Sequence, residues 1–287
     1  MASWRIGDVT VTRVVELEAT GGSRFILPDA TPDAVQPYRW LHPHFTDERG
    51  RLRMSVHALV VATPSRRILV DTCIGNDKTR SIPTWSGLHL PFLEDLERAG
   101  CPRVSIDTVV CTHLHVDHVG WNTMRVDGRW VPTFPQARHL LGRVEFEYWR
   151  SRQQDDDHRA AFADSVQPIW DAGLVELVDT AHRVCEEVRL VPTIGHTPGH
   201  ASVHIASRGE EALITGDFVH HPCQMARLDW CSAPDHDRAQ AIATRREVFG
   251  RVAETDTLLI GTHFATPSAG RVRRDGDAFR LEPVPPR

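Results

Sequence analysis

Thr112-His113-Leu114-His115-Val116-Asp117-His118 places three imidazoles and a carboxylate within six residues, directly after the apolar run Val109-Val110-Cys111. A short β-branched run of this kind reads as a buried central strand, and the loop that follows such a strand can hold convergent side chains rigidly. Imidazole and carboxylate together suit a borderline cation such as Zn²⁺. His113 and His115, two residues apart, can point the same way, and Asp117 and His118 can turn towards a second ion a few ångströms off.

Three further stretches repeat the theme. In Gly195-His196-Thr197-Pro198-Gly199-His200, a Thr-Pro-Gly turn displays a histidine on each side. Thr215-Gly216-Asp217 puts a carboxylate just after the strand-like run Ala212-Leu213-Ile214, and Gly261-Thr262-His263 follows the apolar Thr257-Leu258-Leu259-Ile260. Each alone is the signature of a cap or turn. Together they put ligand groups on successive strand-end loops, which can converge at one edge of a sheet structure.

Outward from these loops the chain alternates strand and helix. Asp8 to Val15, Met54 to Ala62, Arg67 to Asp71 and Thr108 to Cys111 carry strand patterning, and Phe92 to Ala99 has helical spacing ending at Gly100. The second half does likewise, with strands at Val188 to Pro192, Ala201 to Ser207, Ala212 to Thr215 and Thr257 to Ile260. A helix is predicted to open at Ser232-Ala233-Pro234-Asp235, where Ser232 and Asp235 resemble a capping box, and to run to about Ala253. Hairpins are predicted at Val126 to Trp130 and at Arg271 to Leu281, turning on Asp275-Gly276. Pro28 to Phe45 and Gly75 to Leu90 read as irregular segments that line or cover a site. No Ser/Gly linker divides the chain, so residues 1–287 read as one domain of two similar halves, with residues 1–53 partly irregular and suited to a lid or a dimer arm.

Composition removes other classes. Forty-one per cent hydrophobic and 25% charged residues over 287 positions describe an ordinary folded chain rather than a disordered or collagenous one. Thirty-three Lys and Arg against 38 Asp and Glu leave a net charge of −5 without a basic block, so nucleic acid is not an expected partner. No apolar run approaches the ~18 residues that span a bilayer and no signal peptide opens the chain, so a cytoplasmic protein without a membrane partner is expected. Six scattered cysteines without a CxxC pair read as buried small hydrophobes.

In order, His113-x-His115-x-Asp117-His118, Gly195 to His200, Thr215 to Asp217 and Gly261 to His263 resemble the metallo-β-lactamase superfamily. The resemblance runs from the strand ending at Asp71 to His263. It implies an α/β fold, an αβ/βα four-layer sandwich of two mixed β-sheets flanked by helices, with a dinuclear site of two Zn²⁺ at one end; Fe, Mn or Co can substitute. His113, His115 and His196 then look like ligands of one ion, and Asp117, His118 and His263 like those of the other, bridged by Asp217. Asp71 matches the family's supporting aspartate, and His200 is cast in a similar role.

The true β-lactamases carry cysteine where this chain has Asp217. An aspartate there is similar to lactonases, glyoxalase II, organophosphate hydrolases and persulfide dioxygenases, and the short tail after His263 lacks the helical region typical of glyoxalase II. The chain resembles most the acyl-homoserine-lactone lactonase and methyl-parathion-hydrolase branch. Many lactonases place a tyrosine three residues after the bridging aspartate; here that position is His220, followed by His221.

The implied chemistry is attack by a metal-bridging hydroxide on a small hydrophobic lactone or ester, with Asp117 shuttling the proton and His220 donating to the developing oxyanion. Phosphotriester hydrolysis and hydrolytic dehalogenation on the same site are alternatives, and a mononuclear iron persulfide dioxygenase is a further one. The expected partner is a small-molecule substrate; a homodimer is a further expectation. Of the eight tryptophans, Trp40, Trp85, Trp121, Trp149 and Trp230 fall near the site loops, and Trp121, close after His118, is the first choice for a pocket wall. Of the 17 histidines, His42, His139 and His158 are read as ordinary solvated or packed residues.

Overall fold

The computed structural model describes residues 2–152 and 156–287. Among them, β1 (Ser3–Ile6), β2 (Val9–Thr20), β3 (Arg53–Ala62), β4 (Arg67–Val70) and β5 (Thr108–Cys111) precede a separate hairpin, β6 (Thr123–Val126) with β7 (Arg129–Pro132). β8 (Arg138–Gly142) and β9 (Val175–Val178) complete a seven-stranded sheet in the order β1-β2-β3-β4-β5-β8-β9. The second sheet has six strands in sequence order: β10 (Val188–Pro192), β11 (Ala201–Ser207), β12 (Glu210–Ile214), β13 (Leu258–Ile260), β14 (Ala269–Asp275) and β15 (Ala278–Pro283). Both are mixed, because β4, β5, β8 and β9 run parallel, as do β12 and β13, while the remaining pairs are antiparallel.

The strand sequences show why these sheets stack. In β3, Ala58 and Val60 belong to the core under the helices, whereas Leu59 and Val61 face the other sheet. β4 and β5 divide likewise: Leu69 and Val109 face outwards to the helices, and Ile68, Val70 and Val110 face inwards. In the second sheet Ile214 and Ile260 meet the first sheet, while Leu213 and Leu259 pack under Val248, Phe249 and Val252 of the helix Arg238–Val252. Strands apolar on both faces are what burial between two layers requires. The result is helix, sheet, sheet, helix, the four-layer α/β sandwich expected of the sequence.

Local outcomes differ in three places. The first long strand continues past Val15 to Thr20, through a register irregularity between Val15 and Leu17. The second predicted hairpin turns on Gly276-Asp277, because Asp275 pairs with Ala278. The helix expected to open at Ser232 instead begins at Arg238, capped by Asp237, whose side chain accepts from Gln240 N. Ser232 and Asp235 are not a capping box; their hydrogen bonds serve another purpose, described below. The hairpin at Val126 stands as predicted, with Asp127 and Gly128 both at positive φ, the geometry a tight two-residue turn needs.

Parallel pairing sets where the chemistry collects. β4 and β5 end side by side at Val70 and Cys111, and β12 and β13 end side by side at Ile214 and Ile260. Asp71, the 112–118 loop, Asp217 and His263 all begin at these ends. The sheets are joined there, as β3 bridges the last loop through Met54 with Phe264 and through Ser55 N, which donates to His263 O at 3.0 Å. No helix among the described residues is long and apolar enough to cross a membrane, and all six cysteines are unpaired.

Candidate metal centre

The seven residues expected as ligands are brought to one place. His113 Nε2 lies 3.0 Å from His115 Nδ1, which lies 2.9 Å from His196 Nε2. On the other side His118 Nε2 and His263 Nε2 are 3.2 Å apart, with Asp117 Oδ1 and Oδ2 at 3.6 Å and 3.5 Å from them respectively. Asp217 lies between: its carboxylate is 3.7 Å from His113 Nε2, 3.6 Å from His196 Nε2, 3.3 Å from His118 Nε2 and 3.2 Å from His263 Nε2.

These atoms suit a cation. Burial and the neighbouring imidazoles hold His113 and His115 well below the ordinary imidazole pKa, so each ring stays neutral and keeps one lone-pair nitrogen free to bind a cation. Burial also opposes charge on His118, but Asp217, Asp117 and Asp71 outweigh it and raise its proton affinity well above the usual value. Asp217 is buried, which favours its acid form, yet His263, His118 and His220 hold it well below the carboxylate range. Imidazole nitrogens about 3 Å apart beside a carboxylate are close to the ~3.3 Å edge of a tetrahedral zinc site with Zn–N near 2.05 Å.

The outer ring atoms are fixed by the fold, as the other nitrogen of a metal-binding histidine generally is. His118 Nδ1 donates to Asp71 Oδ2 at 2.9 Å, and Asp71 also accepts from Thr112 N and Thr112 Oγ1 at 2.8 Å and 2.9 Å. Asp71 sits at φ 57°, a left-handed backbone that directs its carboxylate beneath the histidine loop. His263 Nδ1 donates to Ser55 O at 3.0 Å, and His57 bridges Ser55 Oγ and Gly261 O to hold that loop. His200, held down to about 3 by burial, accepts from Asp217 N at 2.7 Å. A Cβ on Gly216 would stand 2.5 Å from His200 Nε2, so the Thr-Gly-Asp turn needs its glycine.

His220 lies against the same carboxylate, Nε2 3.1 Å from Asp217 Oδ2, with its ring stacked on His263 at 5.8 Å and 6°. Its Nδ1 is buried without a hydrogen-bond partner among the described residues. His221 is a structural residue: its Nε2 contacts Phe45 O at 2.8 Å and its Nδ1 accepts from Cys223 N.

Two cavities open on this centre, sharing Phe25, Ile26, Trp85 and Asp117. The larger, about 450 Å³, is walled by Leu17, Met54, Val56, Leu88 and Leu90 and reaches His263. The smaller, about 280 Å³, reaches His115, Asp217 and His220 and is bounded by Asp157 and His158. Phe25 and Trp85 meet edge to face at 5.9 Å between them. A cavity of about 540 Å³ at the far edge, between Arg5, Arg271 and Arg287, is remote from the histidines.

Sequence reading missed part of this. Trp121 is not a pocket wall: it is buried, stacked on Phe92 at 5.5 Å, and its Nε1 donates to Glu16 Oε1 at 2.7 Å. Trp230 is core as well, while Trp85 does line both cavities. His158, dismissed above, lies parallel to Trp149 at 4.0 Å and 5.2 Å from His115. Glu145 gave no signal, since a carboxylate in a helix's first turn is unremarkable. Yet this buried side chain accepts from Leu114 N (3.1 Å), Trp149 Nε1 (2.6 Å), Thr197 Oγ1 (2.7 Å) and Gly199 N (3.0 Å), pinning the 113–118 and 195–200 loops together.

Comparison with known proteins agrees with this architecture. No curated protein matches the chain. Among solved structures, AidC, a dizinc quorum-quenching lactonase in complex with a product, superposes with a TM-score of 0.79 at 19% identity, covering 98% of this chain and 96% of that one. The hydrolase AbOPH of the beta lactamase superfamily gives 0.80 at 23% identity, covering 99% and 97%. A variant of AiiA from B. thuringiensis, with N-decanoyl-L-homoserine bound at the active site, gives 0.63 at 16% identity, covering 91% and 94%. At these identities the likeness is one of fold. Residues 51–263, most of the chain and all seven of the clustered histidines and aspartates, match the family model described as the Metallo-beta-lactamase superfamily, and the chain belongs to that superfamily.

Proposed function

We propose that this metal-dependent hydrolase holds two zinc ions, one on His113, His115 and His196 and one on Asp117, His118 and His263, with Asp217 shared, and that its substrate is a small hydrophobic lactone or ester. The observation that carries the reading is Asp217 lying within 3.7 Å of imidazoles from both groups, below cavities with apolar walls. Divalent ions in such a site supply Lewis acidity to a carbonyl oxygen and bring the pKa of water towards ~7.

The protein's own groups do the rest. Asp117 borders both cavities and accepts a proton at a carboxylate oxygen, then returns it to the leaving alcohol. His220, on the wall of the smaller cavity, donates to the carbonyl oxygen as negative charge develops there. Phe25 and Trp85 close over the centre as a lid and exclude water, and the larger cavity takes the apolar arm of the substrate. The fold shared with a dizinc lactonase supports this choice of metal and substrate.

The test is metal analysis followed by a panel of lactones, aryl esters and phosphotriesters on zinc-reconstituted protein. About two zinc ions per chain, with the highest kcat/KM on a lactone or aryl ester, is the expected result. One iron per chain without hydrolysis refutes the reading, and preference for phosphotriesters overturns the substrate class.

A further inference from the structure

Ser232 and Asp235, which resemble a helix cap in sequence, sit 3 to 6 residues before the helix that they would start. Their bonds run elsewhere. Asp235 Oδ1 accepts from His196 Nδ1 at 2.9 Å and from Ser232 Oγ at 2.6 Å, and Oδ2 accepts from Ser232 N at 2.9 Å. Asp235 Oδ2 also stands 3.6 Å from Arg245 Nη1, and both side chains are 0% exposed. Arg245, midway along the helix Arg238–Val252, donates from Nε to Leu228 O at 3.1 Å and from Nη1 to Phe218 O at 3.3 Å. Its Nη2 lies 3.3 Å from Cys231 Sγ.

A buried guanidinium is costly unless paired, and a carboxylate without water around it is costly for the same reason. Here each neutralises the other, and the carboxylate's remaining lone pairs are taken by Ser232 and His196. The arrangement fixes His196 with Nε2 facing His115 and Asp217. The same guanidinium grips the carbonyl of Phe218, next to Asp217, so one helix residue steadies both a histidine and the shared carboxylate.

We propose that Arg245, Asp235 and Ser232 form a positioning unit that sets the metal affinity of the His113, His115 and His196 position, while Asp71 serves the His118 position independently. This rests on the two-ion reading above, and its measurement is metal binding rather than turnover. Zinc is titrated into chelator-stripped protein against a chromophoric competitor, for the wild type, Asp235→Asn, Asp235→Glu, Ser232→Ala and Asp71→Asn.

Asp235→Asn is expected to weaken one of the two ions by about 10–100-fold and leave the other within about twofold. Asp235→Glu recovers part of that loss, Ser232→Ala weakens the same ion by a few fold, and Asp71→Asn weakens the other ion. Both ions bound with unchanged affinity in Asp235→Asn, or both weakened alike, overturns the proposal. If Asp235→Asn does not fold, Ser232→Ala decides, and unchanged zinc affinity there overturns it. A wild-type chain that takes up no zinc overturns the functional reading and this inference together, whereas two tight ions in wild type and in Asp235→Asn alike overturn this inference alone.

Discussion

The floor and the roof of the site are built by different means. The floor is a set of strand-end loops held by buried carboxylates: Asp71 under His118, Asp235 under His196, Glu145 between the 113–118 and 195–200 loops. The roof is made of short single turns and loop on one side, at Phe25 and Ile26, and of residues 78–85 with the helical stretch 156–166 on the other, held by aromatic contacts and by one buried ion cluster. In that cluster Arg80 donates twice to Asp164, at 2.8 Å and 3.0 Å, and Lys78 Nζ donates to Thr123 Oγ1 at 2.6 Å while lying 3.6 Å over the Trp130 ring. The contrast teaches that chemistry and selectivity can be altered separately, because one rests on hydrogen-bonded ligand loops and the other on packing against them.

Removing a clustered side chain from the floor has the largest expected effect. Asp217→Ala or His115→Ala lowers kcat/KM by about 10³-fold or more, given the several kcal/mol that Lewis-acidic ions contribute, with a circular dichroism spectrum like that of the parent. Retained turnover in a variant that no longer binds metal would refute the division of labour. Breaking the roof should instead cost stability. Asp164→Ala strands Arg80 and Lys78 in the interior, at about 3–5 kcal/mol in a denaturant titration, while metal content stays as in the parent. Loss of metal along with that stability would mean that floor and roof are one unit.

Smaller effects sharpen the comparison. Trp85→Ala widens the shared wall of the two cavities and raises KM for apolar substrates about tenfold, with kcat changing less, as expected for lost packing against a bound group. Equal loss on short polar esters would count against a hydrophobic wall. The last prediction concerns pH. Burial, with Arg80 nearby, pushes Lys78 from 10.5 down to about 7, against the opposing pull of Asp164. Between pH 7 and about 9 the unfolded chain therefore holds a proton that the folded chain has released, so this lysine makes stability rise with pH, by at most ~1.4 kcal/mol per unit. Lys78→Met removes that increment, and an unchanged pH slope of the unfolding free energy would contradict the assignment.

Much of the floor was legible because ligand atoms must follow strand ends closely in sequence: His113 comes two residues after Cys111, Asp217 three after Ile214, and His263 three after Ile260. The supports were not legible, because a carboxylate carries the same letter whether it caps a helix or braces a histidine. Asp235 shows this most clearly, since the three-residue spacing from Ser232 that suggested a cap also lets the two side chains hydrogen-bond and turn towards His196. His158 and Glu145 share that difficulty: their roles arise from loops that are 31 to 54 residues away along the chain.

The sequence by itself determined which strands are apolar enough for burial and which histidines and aspartates follow their ends, and its resemblance to a known family implied the layer order. Only the tertiary structure decided which tryptophans face substrate, which carboxylates orient the histidines, and how the cavity divides at Phe25 and Trp85. The physical reason is range. Periodicity and strand-end spacing are local and survive in one dimension, whereas a pocket wall or a buried hydrogen bond exists only after distant segments have paid the entropy of meeting.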